Sequence, residues 1–262
     1  MKEAIIACDQ CGLCARVCLA KAITVNEAGV SIALEACNAC GHCAGVCPTG
    51  QMRHPKSPLQ EAIRPIATEN AANFLRAARS IREYKADLVP KEQLTRLLDI
   101  GRYPQTGSNT QGVSYLVLEG REKIEKLNAL YENEVEKAIP ADAGLQWYFD
   151  VVQRQRRTGE DIVFRGCSQL VLALADTQQV TGRENAQFSL TFIALLAPTM
   201  GIGTCWAGIF QRMATNDRYA QPFLDFAQVP PGKAIRGALM VGVPDVTYAR
   251  LVERDPLDVQ WR

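Results

Sequence analysis

Eight of the ten cysteines fall within the first 47 residues, and they fall there twice in one pattern. Cys8, Cys11, Cys14 and Cys18 stand as C-x2-C-x2-C-x3-C; Cys37, Cys40, Cys43 and Cys47 repeat that spacing and are followed by Pro48. The flanking text repeats too, CDQCGLCARVC against CNACGHCAGVCPTG. So short a segment buries little apolar core and needs staples. Zinc sites use C-x2-C pairs, but four ligands complete them and nothing in them asks for a three-plus-one run twice. A disulfide framework needs an oxidising compartment, and the opening MKEAIIACDQ lacks the basic-then-apolar pattern of a secretory leader. Packed core cysteines have no reason to recur at fixed spacing.

The double run resembles that of bacterial-type two-cluster ferredoxins. Three closely spaced thiolates wrap one face of an iron–sulfur cubane, and the fourth lies too far round and crosses to the other cubane. This assigns Cys8, Cys11, Cys14 and Cys47 to one [4Fe-4S] cluster, and Cys37, Cys40, Cys43 and Cys18 to a second. Leu19 departs from the proline that many such runs carry, which shapes the turn and ligates nothing. Gly12, Gly41, Gly45 and Gly50 suit close approach of backbone to cluster. Between the runs, residues 21–34 read as two short strands around a turn at Asn26–Gly29. Metal binding is expected to supply much of the folding energy of residues 1–51. Clusters of this kind imply a reducing, cytoplasmic interior.

After Gln51 the text changes. Residues 52–59 carry two prolines and no apolar period and read as a linker. Residues 60–262 read as a larger α+β domain, a central mixed sheet surrounded by helices. LQEAIRPIATENAANFLRAAR reads as helix interrupted at Pro65, and PKEQLTRLLDIGR as a helix opened by proline. Strands are expected at 113–120, 168–176 and 234–244. Residues 121–139 form an amphipathic helix with Ile124, Leu127, Leu130 and Val135 on its apolar face, and Glu184–Thr199 a nearly wholly apolar one.

Lys and Arg total 29 against 28 Asp and Glu, a formal net charge of +1, which gives no basis for a nucleic-acid or anionic-membrane partner. The uncharged stretch between Glu184 and Arg212 is broken by Pro198, Gly201 and Gly203, so a core helix, a turn and a short strand explain it better than a membrane span. Gly201-Ile202-Gly203 opens like a dinucleotide fingerprint, but Trp206 takes the sixth position and a helix precedes it. The only histidines are His42 and His54, so histidine acid–base chemistry in the larger domain is excluded and a cofactor is expected to carry its electronics.

Four segments of the larger domain, in order, resemble the nitroreductase family of FMN-dependent oxidoreductases. They are Arg79-Ser80-Ile81-Arg82-Glu83-Tyr84, Thr106-Gly107-Ser108-Asn109-Thr110-Gln111, Met200-Gly201-Ile202-Gly203-Thr204-Cys205-Trp206-Ala207-Gly208, and Gly242-Val243-Pro244 with a tail holding Arg250 and Arg254. The resemblance implies an FMN site. Arg79, Ser80 and Arg82 would reach its phosphate, ribityl and pyrimidine parts, with Arg82 the cation near N1 and O2. Thr106, Gly107 and Asn109 would contact FMN from the partner subunit, backbone N–H groups around Ala207 and Gly208 would face N5, and Arg250 and Arg254 would close on the phosphate. Ala78 departs from a second arginine found in many members, and Ala207 from a glutamate found in some.

Clusters pass single electrons, whereas a flavin releases two as hydride. A chain holding both is expected to be an enzyme that reduces a small electrophile such as a nitroaromatic, quinone or activated alkene. The donor would be a ferredoxin, a flavodoxin or NAD(P)H, which family members admit without a Rossmann domain, and reverse flow from NAD(P)H to the clusters is equally open. The alternatives are a non-catalytic electron-transfer subunit docking on a larger redox complex, or a flavin-fragmenting or dehalogenating relative. The resemblance also implies an intertwined homodimer.

Overall fold

The computed structural model describes residues 8–52, 54 and 63–262. They divide into two compact units, one running to Ile66 and including Thr106–Thr110, the other comprising Ala67–Gln105 and Gln111–Arg262. The segment 106–110, expected in the larger domain, thus groups with the smaller unit. The linker expected at 52–59 falls largely outside the described residues, as does the start of the helix expected from 59.

In the first unit the repeated sequence folds as a repeated shape. Helix α1 (Leu13–Val17) is entered through Gly12 at φ 73°, ψ 0°, and α2 (His42–Gly45) through Gly41 at φ 74°, ψ −1°. Only glycine holds that left-handed geometry cheaply, which is why it recurs directly after the second cysteine of each run. Gln10 and Ala39, two residues earlier, are also left-handed, at φ 54° and 52°. The hairpin expected between the runs is β1 (Ile23–Asn26) paired antiparallel with β2 (Gly29–Ile32). The core here is small: Cys14, Val30, Cys43, Ala44 and Met52.

The second unit opens with α3 (Thr68–Arg76) and α4 (Lys91–Asp99). Helix α3 starts only after Pro65, whose ring disfavours helical backbone in the residue before it. Then follow β3 (Ser114–Glu119), α5 (Arg121–Ala138), α6 (Gln146–Thr158), β4 (Gln169–Asp176), α7 (Gly182–Leu196), β5 (Gly203–Trp206), α8 (Gly208–Ala214), α9 (Gln221–Ala227) and β6 (Lys233–Gly242). The sheet runs in the order β3-β4-β6-β5. Its pairings are all antiparallel; a parallel pairing that would make it mixed is not among the described strands.

Strand β4 is buried over seven of its eight residues because both faces of the sheet are covered. Leu170, Leu172 and Leu174 point to one core with Ile124, Leu127, Phe210 and Phe223 from α5, α8 and α9. Val171 and Ala173 point to the other, with Leu94, Leu97, Leu190 and Ile193 from α4 and α7. On α5 the expected stripe is corrected at one position: Tyr131 is buried, while Leu130 is only half-buried. The i, i+7, i+11 run Ile124, Tyr131, Val135 outcompetes Leu130, and the Tyr131 hydroxyl avoids an orphaned donor by donating to the Ile209 carbonyl at 3.3 Å. No described helix is long and apolar enough to cross a membrane.

Candidate functional site

Two cavities of the first unit gather its cysteines in a crossed arrangement. One is lined by Cys8, Cys11, Cys14 and Cys47; the other by Cys18, Cys37, Cys40 and Cys43. Each thus receives three thiols from one run and the fourth from the other. All eight are free thiols, and among the described residues no three metal-binding side chains converge tightly enough for a single ion. Four thiols around each cavity supply the ligand number of a [4Fe-4S] cluster.

Backbone donors already aim at the sulfurs. Gln10 donates to Cys8 Sγ at 3.4 Å, Ala39 to Cys37 Sγ at 3.3 Å, and Ala22 to Cys18 Sγ at 3.3 Å. The left-handed conformations of Gln10 and Ala39 turn those N–H groups back toward the sulfur. Burial raises the pKa of Cys14 and Cys43 above the ordinary thiol value. Burial also pushes Cys47 up, but hydrogen bonds from the Thr49 hydroxyl and from nearby backbone N–H groups outweigh it and hold this thiol below the ordinary value. His54 Nε2 lies 3.3 Å from Cys37 Sγ, a contact the sequence did not suggest because His54 stands 17 positions away.

Asn109 turns to this unit. Its amide donates to the carbonyls of Asn38 at 2.9 Å and Ala39 at 3.0 Å. Thr106 and Gly107 lead into the same turn, in which Ser108 and Asn109 are both left-handed.

In the second unit the segment 79–84 is fixed at the edge of the sheet. Ile81 donates its N–H to the Thr204 carbonyl at 2.9 Å, Lys85 to the Val243 carbonyl at 2.9 Å, and Tyr84 bridges to Pro244. Gly203 and Gly242 are opposite one another in the β5–β6 register, and a Cβ on either would run into this segment, at 3.0 Å from Ile81 Cγ2 and 2.7 Å from Tyr84 Cδ1. The glycines of two sequence motifs therefore exist to admit a third.

That docking sets out the charged residues. Arg82 lines a cleft of about 350 Å³ together with Trp147, Tyr148, Cys205, Trp206 and Gly208. Arg79 is half-buried, its Nε has no hydrogen-bond partner, and its guanidinium stands 5.5 Å from the Tyr248 ring. Glu253 pairs with Arg76 at 2.5 Å, so the tail that carries Arg250 and Arg254 passes the Arg76–Arg79 stretch, with both tail arginines exposed. Ser80 lies between Arg79 and Ile81, half-buried. The N–H of Ala207 is committed to the Ala238 carbonyl at 3.0 Å, which narrows the expected pair of N–H donors to Gly208. Gly208 opens α8, where helix geometry leaves the N–H without an intrahelical partner. Arg82 and Gly208, the first residue of α8, at an aromatic-walled cleft, with an unpartnered guanidinium nitrogen at Arg79 on the same segment, are a donor set that suits a flavin phosphate and ring.

Comparison with known proteins agrees with this geometry. Residues 75–243 match the family described as "Nitroreductase family", and residues 7–51 match "4Fe-4S dicluster domain". No curated protein matches the chain. Among solved structures, a nitroreductase with bound FMN from Bacteroides fragilis is similar over 74% of this chain and 100% of its own, at 18% identity and a TM-score of 0.59. A nitroreductase with bound FMN from Desulfitobacterium hafniense gives 72% and 97% coverage, 18% identity and a TM-score of 0.55. An iodotyrosine deiodinase bound to FMN and 3-iodo-L-tyrosine gives 73% and 98%, 16% identity and 0.55. At these identities the structures attest the fold, and the sequence match over residues 75–243 attests the family. The chain belongs to the nitroreductase family of oxidoreductases and carries a 4Fe-4S ferredoxin-like domain at its N-terminal side.

Proposed function

We propose that this chain binds FMN and two [4Fe-4S] clusters and couples single-electron transfer through the clusters to hydride reduction of a small electrophile, such as a nitroaromatic or quinone. The observation that carries this is the presence, in one nitroreductase-family chain, of two separate cavities each lined by four thiols. Bound flavin supplies the conversion, taking electrons singly and giving up two as hydride.

The protein residues have distinct tasks in this reading. Cys8, Cys11, Cys14 and Cys47 hold one cluster and Cys18, Cys37, Cys40 and Cys43 the other. Arg82 places a guanidinium at the cleft, where it would stabilise negative charge on a reduced flavin. Arg79, Ser80 and the tail arginines Arg250 and Arg254 would hold the phosphate, and the Gly208 N–H would be available to the flavin ring. Thr106 and Gly107, with Asn109, are held by the smaller unit. Trp147, Tyr148 and Trp206 wall the cleft and limit water. Neither histidine belongs to the second unit, so a solvent proton completes the reduction. Phe188 and Phe192, 54% and 36% exposed and one turn apart on α7, offer an apolar face consistent with a homodimer. The donor is a low-potential carrier, a ferredoxin or flavodoxin, or NAD(P)H.

Anaerobic turnover of a nitroaromatic and a quinone, driven by reduced ferredoxin or by NAD(P)H, tests this reading. Turnover is expected with at least one pair, and Arg82→Ala is expected to lower FMN occupancy while leaving iron content unchanged. No turnover with any pair, together with a stable larger complex, would favour a non-catalytic relay instead.

A further inference from the structure

A second cleft, of about 330 Å³, shares Tyr148, Trp206 and Gly208 with the first and is lined also by Arg183, Arg212 and Arg236. The chain as a whole is balanced in charge, yet no carboxylate lines this cleft. None of the three arginines takes part in an ion pair among the described residues. Asp142 is a carboxylate near Arg212 outside the lining; no ion pair joins the two among the described residues, and Asp142 accepts from the Tyr219 hydroxyl at 2.8 Å and the Gly144 N–H at 2.9 Å.

Arg236 is the informative member. It sits within β6 between the buried Ile235 and Gly237, and its Nε is buried with no hydrogen-bond partner. A buried guanidinium donor left unpaired destabilises the fold, and an anion in the cleft would satisfy it. Arg212, from α8, has its guanidinium 6.0 Å from the Tyr148 ring, and Arg183 comes from the first turn of α7. Guanidinium groups are weakly hydrated and match the two oxygens of a carboxylate, so three around one cleft select an organic anion over a neutral molecule.

We propose that this cleft binds the anionic group of the substrate, and that the electrophile the enzyme reduces is therefore an organic acid. This rests on the flavin reading above: Trp206 and Gly208 line both clefts, so a molecule whose carboxylate is held by Arg183, Arg212 and Arg236 extends its other end toward the cleft of Arg82.

Equilibrium dialysis of the anaerobically prepared full chain against 4-nitrobenzoate and its neutral counterpart 4-nitrobenzamide tests the proposal, with FMN measured in the same samples. The acid should bind at least about tenfold tighter than the amide, and Arg212→Gln or Arg183→Gln should remove most of that preference without changing amide binding. Arg236→Gln should do the same; because Arg236 lies inside a strand, the two exposed arginines carry the test if that variant does not fold. Equal affinity for both compounds in the unaltered chain, or an acid preference untouched by the substitutions, would overturn the proposal. Loss of FMN from the variants would also overturn it, by assigning these arginines to the flavin. A retained acid preference in a chain that binds no FMN would uphold the anion site and sink the flavin reading instead.

Discussion

The side-chain amide of Asn109 donates to the Asn38 carbonyl at 2.9 Å, and the same peptide unit presents its Ala39 N–H to Cys37 Sγ at 3.3 Å. One amide thus polarises and orients the peptide group that donates to the sulfur of a proposed cluster ligand. Hydrogen bonds to thiolate sulfur stabilise the reduced, more negative state of a cluster. Replacing Asn109 by alanine should lower the reduction potential of the cluster proposed at Cys18, Cys37, Cys40 and Cys43, and leave that of the other proposed cluster unmoved. Redox titration followed by EPR reads this; equal shifts in both signals would contradict it.

The crossed cavities give a second expectation. Cys47 belongs by sequence to the second run, but it lines the cavity of Cys8, Cys11 and Cys14. Cys47→Ser should therefore deplete iron from that site and preserve the EPR signal of the Cys37 site. Loss confined to the Cys37 site would mean that each run closes on its own cluster.

Gly242 carries no chemistry, yet a single methyl there would meet Tyr84 Cδ1 at 2.7 Å and Ser168 Oγ at 3.4 Å. The Tyr84 ring is buried, and its hydroxyl is tied to the Ile81 carbonyl at 2.8 Å, so it cannot swing away freely. Gly242→Ala is expected to cost about 1–3 kcal/mol by overpacking. Thermal unfolding of the single variant and of Gly242→Ala in a Tyr84→Leu background checks the cause: the penalty should shrink in the double variant, because contacting residues are coupled.

Cys167 is wholly buried, and desolvation first, then the nearby Asp161 charge, push its thiol up to about 12 from the ordinary 9.0. The folded chain keeps a proton that the unfolded chain releases near pH 9, so this group favours folding least at high pH. Stability of the larger unit should fall as pH rises from 9 toward 12, with a contribution from Cys167 approaching about 4 kcal/mol at the top of that window. Cys167→Ala should flatten the decline in a pH series of denaturant titrations; an unchanged slope would show that the thiol ionises equally in both states.

Much of this was legible in the sequence, for identifiable reasons. The cysteine runs announce themselves because ligand spacing is local, and the hairpin between them because Asn26 and Gly29 bound a tight turn between two short strands. Strand β4 shows as a continuous apolar run because both its faces are covered. Helix α6 was missed: its buried positions, Val151, Val152 and Gln155, are few, and one is polar, its oxygen accepting from the Ile162 and Val163 N–H groups. Long-range partners were equally invisible. Nothing local to Asn109 says that its amide will reach Asn38, and nothing in Gly203 or Gly242 names Ile81 and Tyr84 as the side chains they must admit. The arginines of the second cleft come from α7, α8 and β6, so only the folded sheet and helices bring them together.

The coupling of clusters to flavin in one polypeptide is tested most directly by preparing the full chain without oxygen and assaying iron, acid-labile sulfide and FMN in a single sample. About eight irons, eight sulfides and one FMN per chain are expected. Zinc in place of iron, about half that iron content, or a preparation without flavin would contradict the account.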